Sequence, residues 1–181
     1  MKMLQNLLKV GILFCFFSVI AQSNELQVIQ SFRANFEQKV QSAEGQGSTL
    51  RYTGEIKALA PVSVLWEYKT PIPKEIYIDN GAMIIFEPKL QQAIFTQLQE
   101  NLDLFSLLKR AKKIKENYYE AIILDQKYVL LFEKGILKEV RFKDHLGNKV
   151  EISFSNVIIN SKMRAEIFEF NPSSDIDIIY H

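Results

Sequence analysis

Few residues in this sequence have the types and spacing that catalysis requires. The two histidines are His145, which follows Asp144 in a charged turn, and His181, the last residue. A carboxylate beside an imidazole can orient a general base, but turns of this composition usually face solvent, which is the interpretation we favour. The one cysteine, Cys15, lies in an apolar run near the N-terminus, so thiol catalysis is not expected. The sequence predicts no catalytic residues, and a hydrolase built on His145 is the weakest hypothesis.

Patterns that bind metal ions or phosphate are also weak. Asp175 and Asp177 have the spacing of one face of a strand and could hold a cation, but a solvated sheet edge is the favoured interpretation. Histidine pairs with metal-ligand spacing do not occur, so the sequence predicts no metal site. Gly45 and Gly47 are not followed by the helix and the Lys-Ser/Thr pair of a phosphate loop. No cofactor is therefore predicted.

The charge balance excludes one large class of partners. The chain has 22 Lys and Arg against 21 Asp and Glu, a formal net charge of +1. Nucleic-acid binding requires a basic excess that neutralises phosphates, so no nucleic-acid partner is expected. A local basic cluster at 109–115 could contact acidic lipid or a partner protein, although the solvated C-terminal end of a helix is the favoured interpretation.

The N-terminal segment has the features of an export signal. Lys2 and Lys9 precede an apolar run at 10–20, and the small residues Ala21 and Ser23 follow it. Because the run is shorter than a typical membrane span, residues 1–23 are predicted to be a cleaved secretory signal peptide, with an uncleaved anchor as the alternative. The exported part then contains no cysteine, and its stability must come from its sheet and core.

Residues 24–181 are predicted to form one domain built mainly from short strands. Apolar and polar residues alternate along many segments, which gives each strand one apolar and one solvated face. Asn80-Gly81 between two apolar runs is the strongest hairpin signal. The predicted strands are 34–40, 50–58, 62–69, 74–80, 82–87, 90–97, 118–124, 127–133, 136–143, 149–156, which 157–159 could extend, and 165–170. The tail at 175–181 is expected to dock at a sheet edge.

Two segments have helical rather than alternating periodicity. The first, 24–32, has a polar cap and apolar residues on one face. The second spans 101–113, and its apolar face consists of Leu104, Phe105, Leu107 and Leu108. An amphipathic helix in a β-rich protein must bury that face against the sheet. Regularly spaced strands suit a barrel or a sandwich, and we favour an α+β fold, mainly β, in which helices cover the concave side of a strongly curved antiparallel sheet.

The apolar inner face of this sheet leaves two interpretations open. The candidate inward residues include Tyr52, Val64, Trp66, Tyr68 and Phe86. Residues of this kind are ordinary core in most proteins, and on that view the chain is an exported β-rich domain. Alternatively, the concave face encloses a cavity for something brought in. Composition and periodicity alone do not separate the two.

A series of short motifs, weak singly but specific in their order and spacing, covers most of the exported part. They are Phe36-x-Gln38, Tyr52-x-Gly54-Glu55-Ile56, Pro61, Leu65-Trp66, Pro71, Ile78-x-Asn80-Gly81, Pro88, Gln92, Leu107-Leu108 and Phe168-x-Phe170-x-Pro172. In this pattern the chain resembles the LolA family of periplasmic outer-membrane lipoprotein carrier proteins.

The resemblance implies a fold and a function. The implied fold is an unclosed antiparallel β-barrel under a helical lid, and the cavity between them takes the acyl chains of lipoproteins. Such a carrier works as a monomer in the periplasm. An inner-membrane lipoprotein-releasing ABC transporter loads it, and it delivers its cargo to a receptor at the outer membrane or to that membrane itself. It is not an enzyme and needs no cofactor.

The resemblance also assigns residues to the cavity and to the lid. The cavity residues are Phe36, Leu50, Tyr52, Ile56, Val64, Trp66, Tyr68, Ile76, Ile85, Phe132, Val140 and Phe154. The lid residues are Leu104, Phe105, Leu107 and Leu108. One departure concerns Ala60, which stands where the family often has an arginine that holds the lid shut. Closure must then depend on apolar contact, or Arg51 or another basic residue substitutes.

The same shape allows related alternatives. The outer-membrane receptor lipoprotein LolB and some regulatory or glycolipid-binding domains have similar folds, but the receptor carries a lipid-modified cysteine after its signal, which this chain lacks. A non-enzymatic sensor or interaction domain would fill the cavity with its own side chains. A structure with no void between helix and sheet would favour that alternative.

Overall fold

One twelve-stranded sheet forms most of the fold in the computed structural model, which describes residues 28–43, 48–98 and 103–180. The strands are β1 (Ser31–Gln41), β2 (Thr49–Leu59), β3 (Ser63–Thr70), β4 (Lys74–Asp79), β5 (Ala82–Glu87), β6 (Gln92–Gln97), β7 (Lys112–Lys115), β8 (Tyr118–Ile123), β9 (Gln126–Glu133), β10 (Ile136–Lys143), β11 (Lys149–Ile159) and β12 (Asp177–Tyr180). The described ranges also contain one α-helix, α1 (Leu104–Arg110), and two 3₁₀ helices, Pro88–Leu90 and Ala165–Phe168.

The strand order leaves the curved sheet open. It runs β12-β6-β5-β4-β3-β2-β1-β11-β10-β9-β8-β7. Strand β1 pairs with β2 on one side and with β11 on the other, which joins the two halves of the sheet. Within the described ranges the edge strands β12 and β7 do not pair with each other. This confirms the prediction of a mainly β fold with an unclosed, curved sheet.

Local turn chemistry explains why consecutive strands pair. Asn80 and Gly81, between β4 and β5, have φ angles of 45° and 80°. Lys134 and Gly135, between β9 and β10, have φ angles of 51° and 77°. Two successive residues in the left-handed region form the tight turn that matches the twist of antiparallel strands. The hairpin predicted at Asn80-Gly81 is therefore confirmed, and Lys134-Gly135 forms a second one of the same kind.

The strand register places a row of aromatic residues on the inner face. Phe36 of β1 lies opposite Phe154 of β11 and opposite Gly54 of β2, and Gly54 lies opposite Tyr68 of β3. The Phe36 ring occupies the space that a side chain at position 54 would need. Phe32, Ile56 and Val64 are almost fully buried along the same face. The core therefore lies on the inner side of the sheet.

The outer face carries charged side chains that pair across the strands. Arg51 bonds Glu37 at 2.8 Å, and Lys39 lies 3.5 Å from Glu151. Exposed pairs of this kind stabilise a protein by only about 0–1 kcal/mol each. Their main effect is on the orientation of the strands. They keep the outer face of β1, β2 and β11 in solvent and so fix which side of the sheet is apolar.

The predicted helix at 24–32 is wrong for residues 28–32. Its first four residues lie outside the described ranges, residues 28–30 are not helical, and β1 begins at Ser31. Phe32 is fully buried and packs its ring against Phe154 at 5.5 Å. Pairing with β2 and β11 satisfies the backbone on both sides, and this long-range pairing overrides the local helical spacing.

The predicted helix at 101–113 is too long. Residues 101 and 102 lie outside the described ranges, and α1 ends at Arg110. After Ala111 the chain continues as β7, which pairs with β8 and forms one edge of the sheet. The lysines of β7 are exposed, as is common on edge strands, where charge discourages pairing with other chains.

The predicted strand at 165–170 is also wrong. Ala165–Phe168 is a 3₁₀ helix that packs on β3 and β4. Phe170 then contacts Phe86 with a centroid distance of 5.3 Å. Phe86 lies on the opposite face from Ile85, so the prediction that it points inward is wrong. This second layer also explains why Leu65 is buried although it points away from the inner face.

The remaining strand predictions are confirmed with small shifts at their ends, and β11 includes the proposed extension to Ile159. The tail docks as expected, because β12 pairs in parallel with β6. The predicted signal peptide at 1–23 lies outside the described ranges, so the division into 1–23 and 24–181 stays a prediction. Across the described ranges we find no helix with the length and apolarity that crossing a bilayer requires.

Candidate functional site

Helix α1 is fixed at its N-terminal end by Asp103. One carboxylate oxygen, Oδ1, accepts hydrogen bonds from the backbone N–H groups of Phe105 at 2.8 Å and Ser106 at 3.0 Å. The other, Oδ2, accepts from the Ser106 hydroxyl at 2.7 Å. Asp103 is only 2% exposed. Lys109 and Arg110 lie in the last turn, where they complement the helix dipole. The capping residue thus sets where this short helix begins.

Replacing Asp103 by alanine should lower the free energy of unfolding by about 1–2 kcal/mol, because it removes the helix cap from a buried position. Urea unfolding followed by the emission of Trp66 would measure the loss. Asp103→Asn is the matched control, since asparagine also caps helices and should cost less. Equal stability of Asp103→Ala and the unchanged protein would contradict this role.

The apolar side chains of α1 lie on the inner face of the sheet. Leu104 is 6% exposed and belongs to the core cluster. The other three predicted lid residues, Phe105, Leu107 and Leu108, are half-buried and pack against that cluster. The structure therefore brings all four residues together against the core cluster on the concave side.

Most of the predicted cavity residues meet in the same cluster. Those that are buried in it are Phe36, Ile56, Val64, Phe132, Val140 and Phe154. Trp66, Tyr68 and Ile76 are half-buried and pack against it. The other three lie at its margin: Leu50 is 57% exposed, while Tyr52 and Ile85 are half-buried and outside the cluster.

A cavity of about 180 Å³ lies between α1 and the sheet. Leu104 and Leu107 of the helix line it, and so do Trp66, Val140 and Phe154 of the sheet. An apolar cavity of about 150 Å³ in another protein is large enough to stay dry and bind a small hydrocarbon. The space beneath the helix is therefore partly vacant rather than filled by the protein's own side chains.

Sequence reasoning missed four residues that line this cavity. They are Asp103, Tyr128, Phe142 and Ile152. Tyr128, Phe142 and Ile152 each belong to an alternating run, so the signal was present, but only the register of β9, β10 and β11 shows that they converge. Burial raises the pKa of Tyr128, so its phenol stays neutral at the cavity wall.

A second hollow, of about 380 Å³, lies at another side of α1. Phe105 and Leu108 of the helix line it, together with Ala60. Position 60 thus borders the helix, and its methyl group offers only apolar contact. Arg51 does not replace the expected arginine, because its side chain is bonded to Glu37 on the outer face. The suggestion that Arg51 could hold the helix shut is wrong.

An aromatic wall lies beside the cavity. The ring of Phe36 packs edge-on against Trp66 and Tyr68 at centroid distances of 5.0 and 4.9 Å. The hydroxyl of Tyr68 donates a hydrogen bond to Gln38 at 2.8 Å, and Lys74 Nζ lies 4.6 Å from the ring centroid of Tyr68. Burial raises the pKa of Tyr68 to about 12. The Tyr68 phenol is therefore neutral at neutral pH, and the ammonium group of Lys74 lies over its ring.

Asp144 and Asp175, the candidates for catalysis and for cation binding, stabilise turns instead. The carboxylate of Asp144 accepts hydrogen bonds from the backbone N–H groups of Leu146 and Asn148, each at 2.9 Å, so it closes the turn. Asp175 accepts from the side chains of Ser173 and Gln91. In the part of the chain that the structure describes, no three His, Cys, Asp or Glu side chains converge as metal ligands would.

The fold and the cavity define a class: an open, curved β-sheet with an apolar hollow beneath a helix. Comparison with known proteins gives the family. Residues 27–171 match "Outer membrane lipoprotein carrier protein LolA". The chain belongs to the LolA family.

Relatives in other bacteria carry the name of the same family. The "Outer-membrane lipoprotein carrier protein" of Wolinella succinogenes is 38% identical over 173 residues, 95% of this chain and 99% of that protein. The protein of the same name from Helicobacter pylori is 39% identical over 164 residues, 90% and 87% of the two chains. Among solved structures, an uncharacterized conserved protein from Thermus thermophilus shares the fold, with a TM-score of 0.51, 10% identity and coverage of 85% and 92%.

Proposed function

We propose that this protein carries lipoproteins from the inner to the outer membrane, with their acyl chains held beneath α1. Membership of a carrier family supports this function and makes the protein a non-enzymatic chaperone. The observation that carries the proposal is the cavity of about 180 Å³, whose walls are largely apolar and which α1 covers. The sensor alternative requires a space filled by native side chains, and the void weighs against it.

The size of the cavity indicates how the helix must behave. Each methylene removed from water contributes about 0.8 kcal/mol, so a chain of about sixteen carbons gains on the order of 12 kcal/mol. The cavity of about 180 Å³ beneath α1 falls below the roughly 300 Å³ of ordinary ligand pockets. Loading therefore requires α1 to move aside, so that acyl groups replace Leu104 and Leu107 against the sheet.

The structure of α1 suits such a movement. The helix has seven residues, Leu104–Arg110, too few to be stable without its packing. Vacant space borders it beneath Leu107 and beside Phe105. We propose that α1 is the lid, and that the twelve cavity residues named from the sequence, together with Tyr128, Phe142 and Ile152, form the acyl-binding surface.

The cellular location and the partners of the protein follow from the same function. We place the protein in the periplasm, exported by its N-terminal segment and working as a monomer. An inner-membrane lipoprotein-releasing ABC transporter would supply the energy for loading. A receptor at the outer membrane, or the membrane itself, would remove the cargo.

Trp66, the one tryptophan of the chain, should report on loading. It lines the cavity and contacts Phe36 and Phe154, so a fatty acid entering there must change its surroundings. We expect the emission of Trp66 to shift as the purified protein is titrated with a fluorescent fatty acid, and protein purified from an exporting host to carry lipoprotein. Unchanged emission at saturating lipid, with protein that is always lipid-free, would refute the function.

A further inference from the structure

A second concave surface lies mainly on the outer face of the sheet, although Phe142 borders both this groove and the cavity beneath α1. This groove has a volume of about 880 Å³ and crosses strands β2, β1, β11, β10 and β9. The cationic side chains that line it are Lys39, Arg51, Lys127, Arg141, Lys143 and Lys149. One carboxylate, Glu151, lines it with them. A chain with a net charge of only +1 thus concentrates positive charge in one place.

Four of these cations have carboxylate partners. Lys39 and Arg51 contact Glu37, Arg141 contacts Glu139 and Glu151, and Lys127 contacts Glu120. The partners lie mostly around the groove rather than in it. These pairs are partly exposed, so they neutralise the local field only in part.

The other two cations, Lys143 and Lys149, indicate what the groove could bind. The register of β10 and β11 places them directly opposite each other, and both are exposed. Like charges in this position destabilise a sheet. In the described ranges neither lysine lies within ion-pair distance of a carboxylate, whereas their charged neighbours in the groove do. A negatively charged ligand would relieve this repulsion.

We propose that the groove binds an acidic polypeptide segment of a partner protein. Its concave shape, with Lys143 and Lys149 directly opposed, favours a protruding acidic segment over a flat lipid surface. Its cationic side chains lie on the face opposite the cavity, so a partner can dock on them while cargo is bound. Charge of this kind speeds encounter and selects partners.

The proposal can be tested with a fluorescent peptide of about ten glutamates, whose anisotropy is measured against the full exported protein. We expect binding that weakens at least threefold between about 50 and 200 mM salt, because screening shortens the reach of the charges. Lys143→Glu/Lys149→Glu should weaken binding at least tenfold. The Lys143→Gln/Lys149→Gln variant removes the two charges without reversing them and should have an intermediate effect. It tests the proposal even if charge reversal makes the protein misfold.

The matched control is Lys113→Glu/Lys115→Glu, which makes the same change in net charge on the exposed edge strand β7. It should alter peptide binding less than about twofold. Equal loss in both charge-reversal variants, absence of binding at low salt, or stronger binding of vesicles with about 30% anionic lipid through Lys143 and Lys149 would overturn the proposal. Uptake of fatty acid, reported by Trp66, should be unchanged in every variant, which separates this surface from the carrier function.

Discussion

Replacing Val140 by phenylalanine should weaken cargo loading at least tenfold while leaving the fold intact. Val140 is 4% exposed on β10 and lines the cavity beneath α1. A larger side chain there can grow into the vacant volume of about 180 Å³, so it need not strain the core as overpacking does elsewhere. It would displace several acyl methylenes, each contributing about 0.8 kcal/mol. We therefore expect at least a tenfold loss of affinity, which corresponds to about 1.4 kcal/mol.

The measurement is the amount of lipoprotein that co-purifies with the protein, together with the dissociation constant of a fluorescent fatty acid. Val129→Phe is the matched control, because Val129 lies opposite Arg141 on the outer face and lines the basic groove instead. It should load normally. Normal loading of Val140→Phe, with unchanged unfolding by urea, would show that acyl chains do not enter this cavity.

Replacing Gly54 by alanine should lower the free energy of unfolding by about 3 kcal/mol or more. A Cβ atom at position 54 would lie 2.1 Å from the carbonyl oxygen of Glu67 and 2.7 Å from the ring of Phe36. The first contact is with the backbone of the neighbouring strand β3, which cannot move without loosening its pairing with β2. Overpacking commonly costs about 1–3 kcal/mol, and a clash with backbone belongs at the upper end.

Urea unfolding, followed by Trp66 emission, would measure this loss. Gly135→Ala is the control: nothing lies within 4 Å of the added methyl group, although its φ of 77° makes alanine unfavourable by roughly 1–2 kcal/mol. If Gly54→Ala were no less stable than Gly135→Ala, the close approach of Phe36 and β3 at this position would be disproved.

Local features of the sequence predict the strands and their order along the chain. Asn80-Gly81 specifies one hairpin through turn chemistry alone, and alternation around Trp66 and Phe36 identifies the inner face correctly. These signals succeed because a strand's two faces and a tight turn depend on residues only a few positions apart.

The misses have long-range causes. Local spacing places Phe32 in a helix because its partner Phe154 lies far away in the sequence. In β10 a register shift between Leu137 and Glu139 breaks the alternation, so Leu137 and Val140 are both buried although they are three positions apart. The pairing of β10 with β11, which local sequence does not specify, brings Ile152 to the cavity that Leu107 lines.

The most direct test of the account is photo-crosslinking in cells from two adjacent positions. Trp66 lines the cavity, whereas the side chain of Glu67 contacts Lys57 on the outer face. A benzophenone amino acid at position 66 should form adducts with acylated lipoproteins, and the same group at position 67 should not. Lipoprotein adducts that are equally abundant from both positions, or absent from position 66, would contradict the claim that acyl chains occupy the space beneath α1.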